Sequence, residues 1–325
     1  FFFSLFTVCY NRIVMITKCV IKPFIIAALS LTLLVGCGND DFPAEEPKVP
    51  LEITSAFVTG DVQTRAVTPE LLTSGSIGVF LEGRSGTGYD KKDNIQYDYN
   101  VGWKPKTETI YLGGEDADVC AYKKTTKLDL SAKEAVPLVS QIYDAEIDLV
   151  YAANQTVNGT SARKSVEFTM GHAYSQIEFV FSREDYPNTC KVTEITVENA
   201  NIIKTATLNL ATGGYTPVTV EKVSYWTNVA KHEDGIAVPE SGTVKSNVLM
   251  IPCTLANAGG TGVTLELTVD GKLMTVPIAH DKLGALTAGV IHQISLKLKG
   301  TALEISVKDT PWDNQPVDGE YNPEP

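Results

Sequence analysis

The groups best placed for chemistry in this chain are two isolated side chains near its beginning, the thiol of Cys37 and the guanidinium of Arg65. Cys37 closes Leu34-Val35-Gly36-Cys37, at the end of an apolar run from Phe24 to Val35 that follows Lys18 and Lys22. Basic residues, a short apolar core, a small residue and then Cys form the order of a secretory signal whose cysteine carries a lipid. Gly36 is small enough to sit beside the bond that is cut. The run is shorter than the roughly 18 to 20 residues that span a bilayer, so a permanent transmembrane helix is not expected. Residues 1–14 precede Met15, the first plausible initiator, and are expected to be leader. Arg65 lies in the polar stretch Gln63-Thr64-Arg65-Ala66, where an Arg-specific protease could reach the bond to Ala66. On the residues alone, a plain surface arginine is the simpler reading of Arg65.

Other constellations fall short. There is no His-Glu-x-x-His, no Gly-x-Ser-x-Gly, no Cys-x-x-Cys and no dinucleotide fingerprint, and no enzyme, cofactor or metal site is expected. His172, His232, His280 and His292 are scattered, and a lone His172 reads as a hydrogen-bonded structural residue at a turn. Beyond the signal, Cys120, Cys190 and Cys253 match neither a zinc pattern nor a paired disulfide framework, and read as buried unpaired side chains. Gly86-Thr87-Gly88 lacks the Gly-Lys-Ser/Thr ending of a phosphate loop. Tyr89, Tyr97, Tyr99, Trp103 and Tyr111 could stack on sugars if exposed, or be half-buried strand residues. The net charge of −12 argues against nucleic acid or an anionic membrane surface as partner. Carboxylates are plentiful but carry no glycosidase signature, and Asn154 and Asn158 head sequons that read as polar loops.

The elements that would position Cys37 and Arg65 are a tether and a strand. Residues 38–49 hold Asn39, Asp40, Asp41, Glu45 and Glu46 among Pro43 and Pro47, a solvated composition that buries no core. An acidic cluster just after a lipidated Cys also looks like a surface-export signal. Leu51, Ile53 and Phe57 fall on one face of an extended segment from Leu51 to Thr59, which stops at Gly60-Asp61. Short strands then recur, among them Ser76 to Leu81, Val119 to Tyr122, Ser165 to Met170 and the alternating Ile177, Phe179 and Phe181. Arg183 to Asn188, with Pro187, reads as a linker. After it come further strands, including Val263 to Val269 and Leu273 to Ile278 around the hairpin signal Asp270-Gly271, and finally Val290 to Leu298 and Leu303 to Val307. Strands between turn residues, with no long amphipathic helix, predict an all-β protein of two sandwiches in series, 50–186 and 187–325.

Several of these stretches occur together in one family. The lipobox, the strand before Gln63-Thr64-Arg65-Ala66, Ile77-Gly-Val-Phe80, Asp148-Leu-Val-Tyr-Ala152, the Phe168 to Phe181 stretch around Gly171-His172-Ala173, and Leu286-Thr-Ala-Gly289 to Trp312 resemble the fimbrillins, the Mfa-like or type V pilins of Bacteroidetes-type bacteria. The resemblance spans nearly the whole chain from Cys37. It implies two tandem β-sandwich domains of transthyretin-like topology, export to the outer membrane as a lipoprotein through Cys37, and cutting after Arg65 by an Arg-specific maturation protease. It further implies loss of the first strand (50–65), with Leu51, Ile53 and Phe57, and assembly with other pilin subunits by donor-strand exchange into a cell-surface fimbrium. The stalk pilins of the family carry a C-terminal donor. Here Asp313 to Pro325 holds Pro316, Pro323 and Pro325 with only Val317 and Tyr321 as apolar side chains, a poor donor that favours a tip or accessory subunit. The alternative is a surface glycan-binding lipoprotein that stays anchored.

Overall fold

The computed structural model describes residues 48–59, 69–125, 127–187, 189–226, 235–300 and 302–312, and these form strands and turns with no helix. The longer strands in chain order are β1 (Glu52–Thr59), β2 (Ser76–Gly83), β3 (Lys92–Tyr99), β4 (Ala117–Lys124), β5 (Val136–Val139), β6 (Leu149–Val157), β7 (Ser165–His172) and β8 (Ser175–Arg183). They continue with β9 (Lys191–Glu198), β10 (Ile203–Asn209), β11 (Gly214–Val220), β12 (Val223–Trp226), β13 (Val244–Met250), β14 (Thr261–Val269), β15 (Lys272–Ala279), β16 (Val290–Lys299) and β17 (Ala302–Pro311). The all-β expectation from alternating short apolar runs is met. The Asp270-Gly271 turn joins β14 to β15 with both residues at positive φ, 47° and 76°, the geometry that makes Asp-Gly a hairpin signal.

Three larger sheets organise these strands. The first runs Glu70–Leu71, β1, β7, β6, β4, β2, β3, Trp103–Pro105. The second runs Gln141–Ile142, β13, β8, β16, β17, and the third β12, β9, β14, β15. β11, β10 and β5 form a separate three-stranded sheet. Most pairs are antiparallel, but β1 lies parallel to β7 and β8 parallel to β16. β8, which precedes the linker expected at 183–188, therefore pairs with strands from the later part of the chain.

Inward alternation along these strands builds separate cores. One gathers Leu51, Ile53, Ala56 and Val58 of the first strand segment with Ile77, Val119, Val166, Phe168 and Met170. A second gathers Ile177, Phe179 and Phe181 of β8 with Ile195, Leu265, Leu267, Ile294 and Leu296. The third joins Phe80, Tyr122 and Leu149 of the first sheet to Leu138, Leu208, Leu249 and Trp312. Cys120 and Cys190 are buried, Cys253 is half-buried, and none of the three is bridged. Among the described residues no helix is long and apolar enough to cross a membrane.

Candidate functional site

Cys37, Arg65 and Ala66 lie outside the described residues, so the site begins at the strand between them. The chain enters as Val49–Pro50, paired with Leu112 and Tyr111, and the Leu51 amide donates to the carbonyl of Ile110 at 2.9 Å. It then crosses to β7, where the Glu52 amide donates to the Lys164 carbonyl at 2.9 Å and a parallel ladder runs to Thr59 opposite Gly171. Among the described residues, the outer edge of β1 is covered by Glu70–Leu71, opposite Val58 and Phe57, together with the Leu72 amide on the Ala56 carbonyl. β1 is thus one two-residue strand short of the sheet edge.

The facing of β1 differs from the sequence expectation at one residue. Leu51 and Ile53 are buried as expected, at 4% and 7% exposure, but Phe57 is only half-buried and points to the other face. Ala56 and Val58, at 0% and 4%, take the inward positions. The cause is one extra residue in β1: Ile53 pairs with Val166 and Ser55 with Glu167, which leaves Thr54 as a bulge and shifts the alternation by one. The Thr54 hydroxyl donates to the Val166 carbonyl at 3.1 Å, and the Ser55 hydroxyl to the Glu167 carboxylate at 2.6 Å. Thr54 and Ser55, two adjacent hydroxyl residues inside an apolar alternation, mark this bulge in the sequence, whereas the size of Phe57 favours the strict alternation.

β7 depends on β1 more than on its other neighbour. Seven positions of β7, Ser165 to Gly171, pair with β1, whereas only Gly171 and His172 pair with β6. β6 is irregular between Ala152 and Gln155, and the Gln155 amide side chain reaches the Glu167 carbonyl at 2.8 Å where a ladder bond would otherwise fall. Leaving β1 out of this arrangement uncovers one row of backbone groups on β7 and the apolar faces of Val166, Phe168 and Met170, all buried in the intact fold. Re-covering Leu51, Ile53 and Val58 is worth roughly 1.5–3 kcal/mol for each side chain as an upper figure.

Three of the sequence stretches singled out above meet at the far end of this sheet. His172 is buried, with Nδ1 at 2.9 and 3.1 Å from the two carboxylate oxygens of Asp148. Its ring stacks on Trp312, centroids 4.0 Å apart and planes 10° from parallel. The Trp312 amide donates to the Gly289 carbonyl at 3.0 Å, the Gly289 amide to the Tyr174 carbonyl at 2.9 Å, and the Ala173 amide to the Leu149 carbonyl at 2.7 Å. His172 lies at the end of a strand, just before the Ala173-Tyr174 corner, and acts as a joint between the first sheet and the end of β17.

The remaining candidates do not form a site. Tyr97 and Trp103 are buried, Tyr89 and Tyr99 half-buried, and Tyr99 packs edge-on against Trp103 at 5.4 Å. Tyr111 is exposed at 53%, so these five aromatics do not share an open stacking face. Asn158 is buried and donates to Asp116 at 2.7 Å, while Asn154 is exposed. Among the described residues no group of His, Cys, Asp and Glu could hold a metal. His292 pairs with Asp309 at 2.7 Å and the His280 ring lies 3.3 Å from the Leu255 carbonyl; His232 lies outside the described residues. Burial pushes the Cys120 thiol up to about 12, and those of Cys190 and Cys253 to about 11.

Comparison with known proteins gives a family and a fold. A family model described as fimbrillin-like matches residues 64–312. A candidate cell adhesion protein from Bacteroides ovatus has a similar structure, with a TM-score of 0.56 and 19% identity, covering 83% of this chain and 100% of that one. A candidate cell adhesion protein from Bacteroides uniformis is similar at a TM-score of 0.53 and 18% identity, covering 80% of this chain and 99% of that one. No curated protein matches the sequence.

Proposed function

This chain belongs to the fimbrillin-like family, and on that premise we propose that it is a tip or accessory subunit whose first strand is removed and replaced by a strand of a neighbouring subunit. Membership itself makes it a fimbrial subunit of the cell surface, a structural protein rather than an enzyme, that assembles with other pilin subunits. The proposal adds the route. The chain is exported to the outer membrane as a lipoprotein on Cys37, and an Arg-specific protease cuts between Arg65 and Ala66. The cut separates β1 from the body along with the tether and the lipid, and the vacated edge of β7 accepts a donor strand. A two-sandwich organisation of transthyretin-like topology belongs to this proposal, with β8 counted in the later sandwich, whose strands and core it joins.

The observation that carries it is the placement of β1. It is inserted in a ladder, it buries Leu51, Ile53, Ala56 and Val58, and it is joined to the rest of the sheet through 60–68, the stretch that contains Arg65. Such a strand can be exchanged for another without rearranging the strands behind it, because an added strand satisfies the same backbone groups. The proline-rich, acidic composition of residues 313–325, a poor alternating donor, supports a tip or accessory position. The alternative of an anchored glycan-binding lipoprotein loses its motive, since four of its five aromatics are buried or half-buried.

The test is the N-terminal residue of the protein recovered by shearing from the cell surface. Ala66 is the expected result. A lipidated Cys37 on the assembled protein refutes the maturation route and returns the anchored reading.

A further inference from the structure

The inward positions of β1 differ in size, and that difference restricts what can take its place. Leu51 and Ile53 are followed by Ala56, fully buried and paired in register with Phe168 on the same face of the sheet. Phe168 is itself at 0% exposure in the same core, so in a close-packed interior a larger residue at position 56 would have to displace its neighbours. Val58, beside Met170, fills the last inward position. The outward row is also particular: Glu52 pairs with Lys164 at 3.0 Å, and the Ser55 hydroxyl donates to Glu167.

Resting on the strand-replacement reading above, we infer that the vacated edge of β7 selects a strand from a chemically different subunit. That strand lies parallel to β7. Its inward side chains run large, large, small, branched, and its outward row carries an acid opposite Lys164 and a hydrogen-bond donor opposite Glu167.

A second copy of this chain does not offer such a strand in β17 or in residues 313–325. β17 presents Leu303, Ile305 and Val307 on its half-buried face in strict alternation, followed by Lys308 and Asp309. With Leu303 in the place of Leu51, Asp309 arrives at the Val58 position. If β17 keeps an extra residue like that at Thr54, Lys308 arrives at the Ala56 position instead. With Leu303 in the place of Ile53, the straight strand puts Ile305 where Ala56 stands and Thr301 where Leu51 stands, and the bulged strand puts Lys308 at Val58. Each register brings a charge into a dry position or overfills the small one. β17 is moreover already committed, with ten positions paired to β16 and Trp312 closing the joint on His172. Residues beyond Trp312 supply only Val317 and Tyr321 among prolines and acids.

The test uses the full chain cut with an Arg-specific endoproteinase, with labelled peptides added during a brief exposure to mild urea that lets the resident strand leave. The peptides are the sequence of residues 48–59, the same sequence with Ala56→Leu, and the sequence of residues 302–311. The first is expected to bind with a defined Kd, the second about tenfold or more weakly, and the third without saturation. Equal binding by the Ala56→Leu peptide, or tight binding by the 302–311 peptide, overturns the size code and the need for a different subunit. If sequencing shows the cut after Arg65 and even the 48–59 peptide fails to bind, strand replacement itself is wrong, and this inference falls with it.

Discussion

Replacing Ile53 or Phe57 by alanine, one at a time, separates the facing seen in the structure from the one that simple alternation suggests. Ile53 is 7% exposed and packs in the core that holds Val166, Phe168 and Met170, so Ile53→Ala deletes buried methyl groups and leaves a cavity worth about 2–5 kcal/mol. Phe57 is half-buried on the other face, between the exposed Thr169 and Leu71, which is 49% exposed, so Phe57→Ala should cost about 1 kcal/mol or less. At about 2 °C per kcal/mol for a chain of this size, thermal unfolding should fall by roughly 4–10 °C for Ile53→Ala and by about 2 °C or less for Phe57→Ala. Both are read by calorimetry on the uncut chain. A larger loss for Phe57→Ala than for Ile53→Ala refutes the bulge at Thr54. If neither substitution shifts the transition, β1 opens independently of the fold and contributes nothing to its cooperative core.

Iodoacetamide at pH 8 should leave Cys120, Cys190 and Cys253 largely unmodified in the folded chain and alkylate all three in denaturant, as mass spectrometry would show, because burial raises each thiol far above that pH. Lys133, bonded to Glu82 at 2.8 Å, holds that carboxyl below the usual glutamate range. The stabilisation is therefore complete above the ordinary glutamate pKa and is lost as the pH falls through the depressed value. Melting curves from pH 6 to pH 3 should show a shallower acid decline for Glu82→Gln than for the native chain. Trp312→Ala removes a nearly buried ring stacked on His172 and should cost about 3–5 kcal/mol, measurable by urea unfolding.

The sequence carried the strand content because burial on one face imposes period two, which is visible in Ile177, Phe179 and Phe181 or in Val263 to Val269. The Asp270-Gly271 hairpin was legible for the same local reason, since positive φ at both positions selects those residues. What lay outside local pattern was the pairing. The parallel match of β1 to β7 joins residues more than a hundred apart, and nothing in either segment states direction or partner. β8 stands with the earlier strands along the chain, yet it pairs with β13 and β16, because its inward phenylalanines complete the later core. The inward role of Ala56 was hidden by its size: a small residue opposite Phe168 is informative only once the Phe is known to be there. The short stretches around His172, Asp148, Gly289 and Trp312 were visible separately, and the structure gives their common reason in one packed joint.

Hydrogen exchange over Ser165 to Gly171 tests most directly whether β1 is the replaceable cover of β7. In the uncut chain the alternate amides of this stretch that face β1 should be protected through the ladder. After cutting at Arg65 and removal of β1 the protection should be lost there, while β2 and β4 keep theirs, and adding the 48–59 peptide should restore it. Unchanged protection across Ser165 to Gly171 after β1 has left would contradict the account, because it would mean that β7 holds its place without the strand proposed to be exchanged.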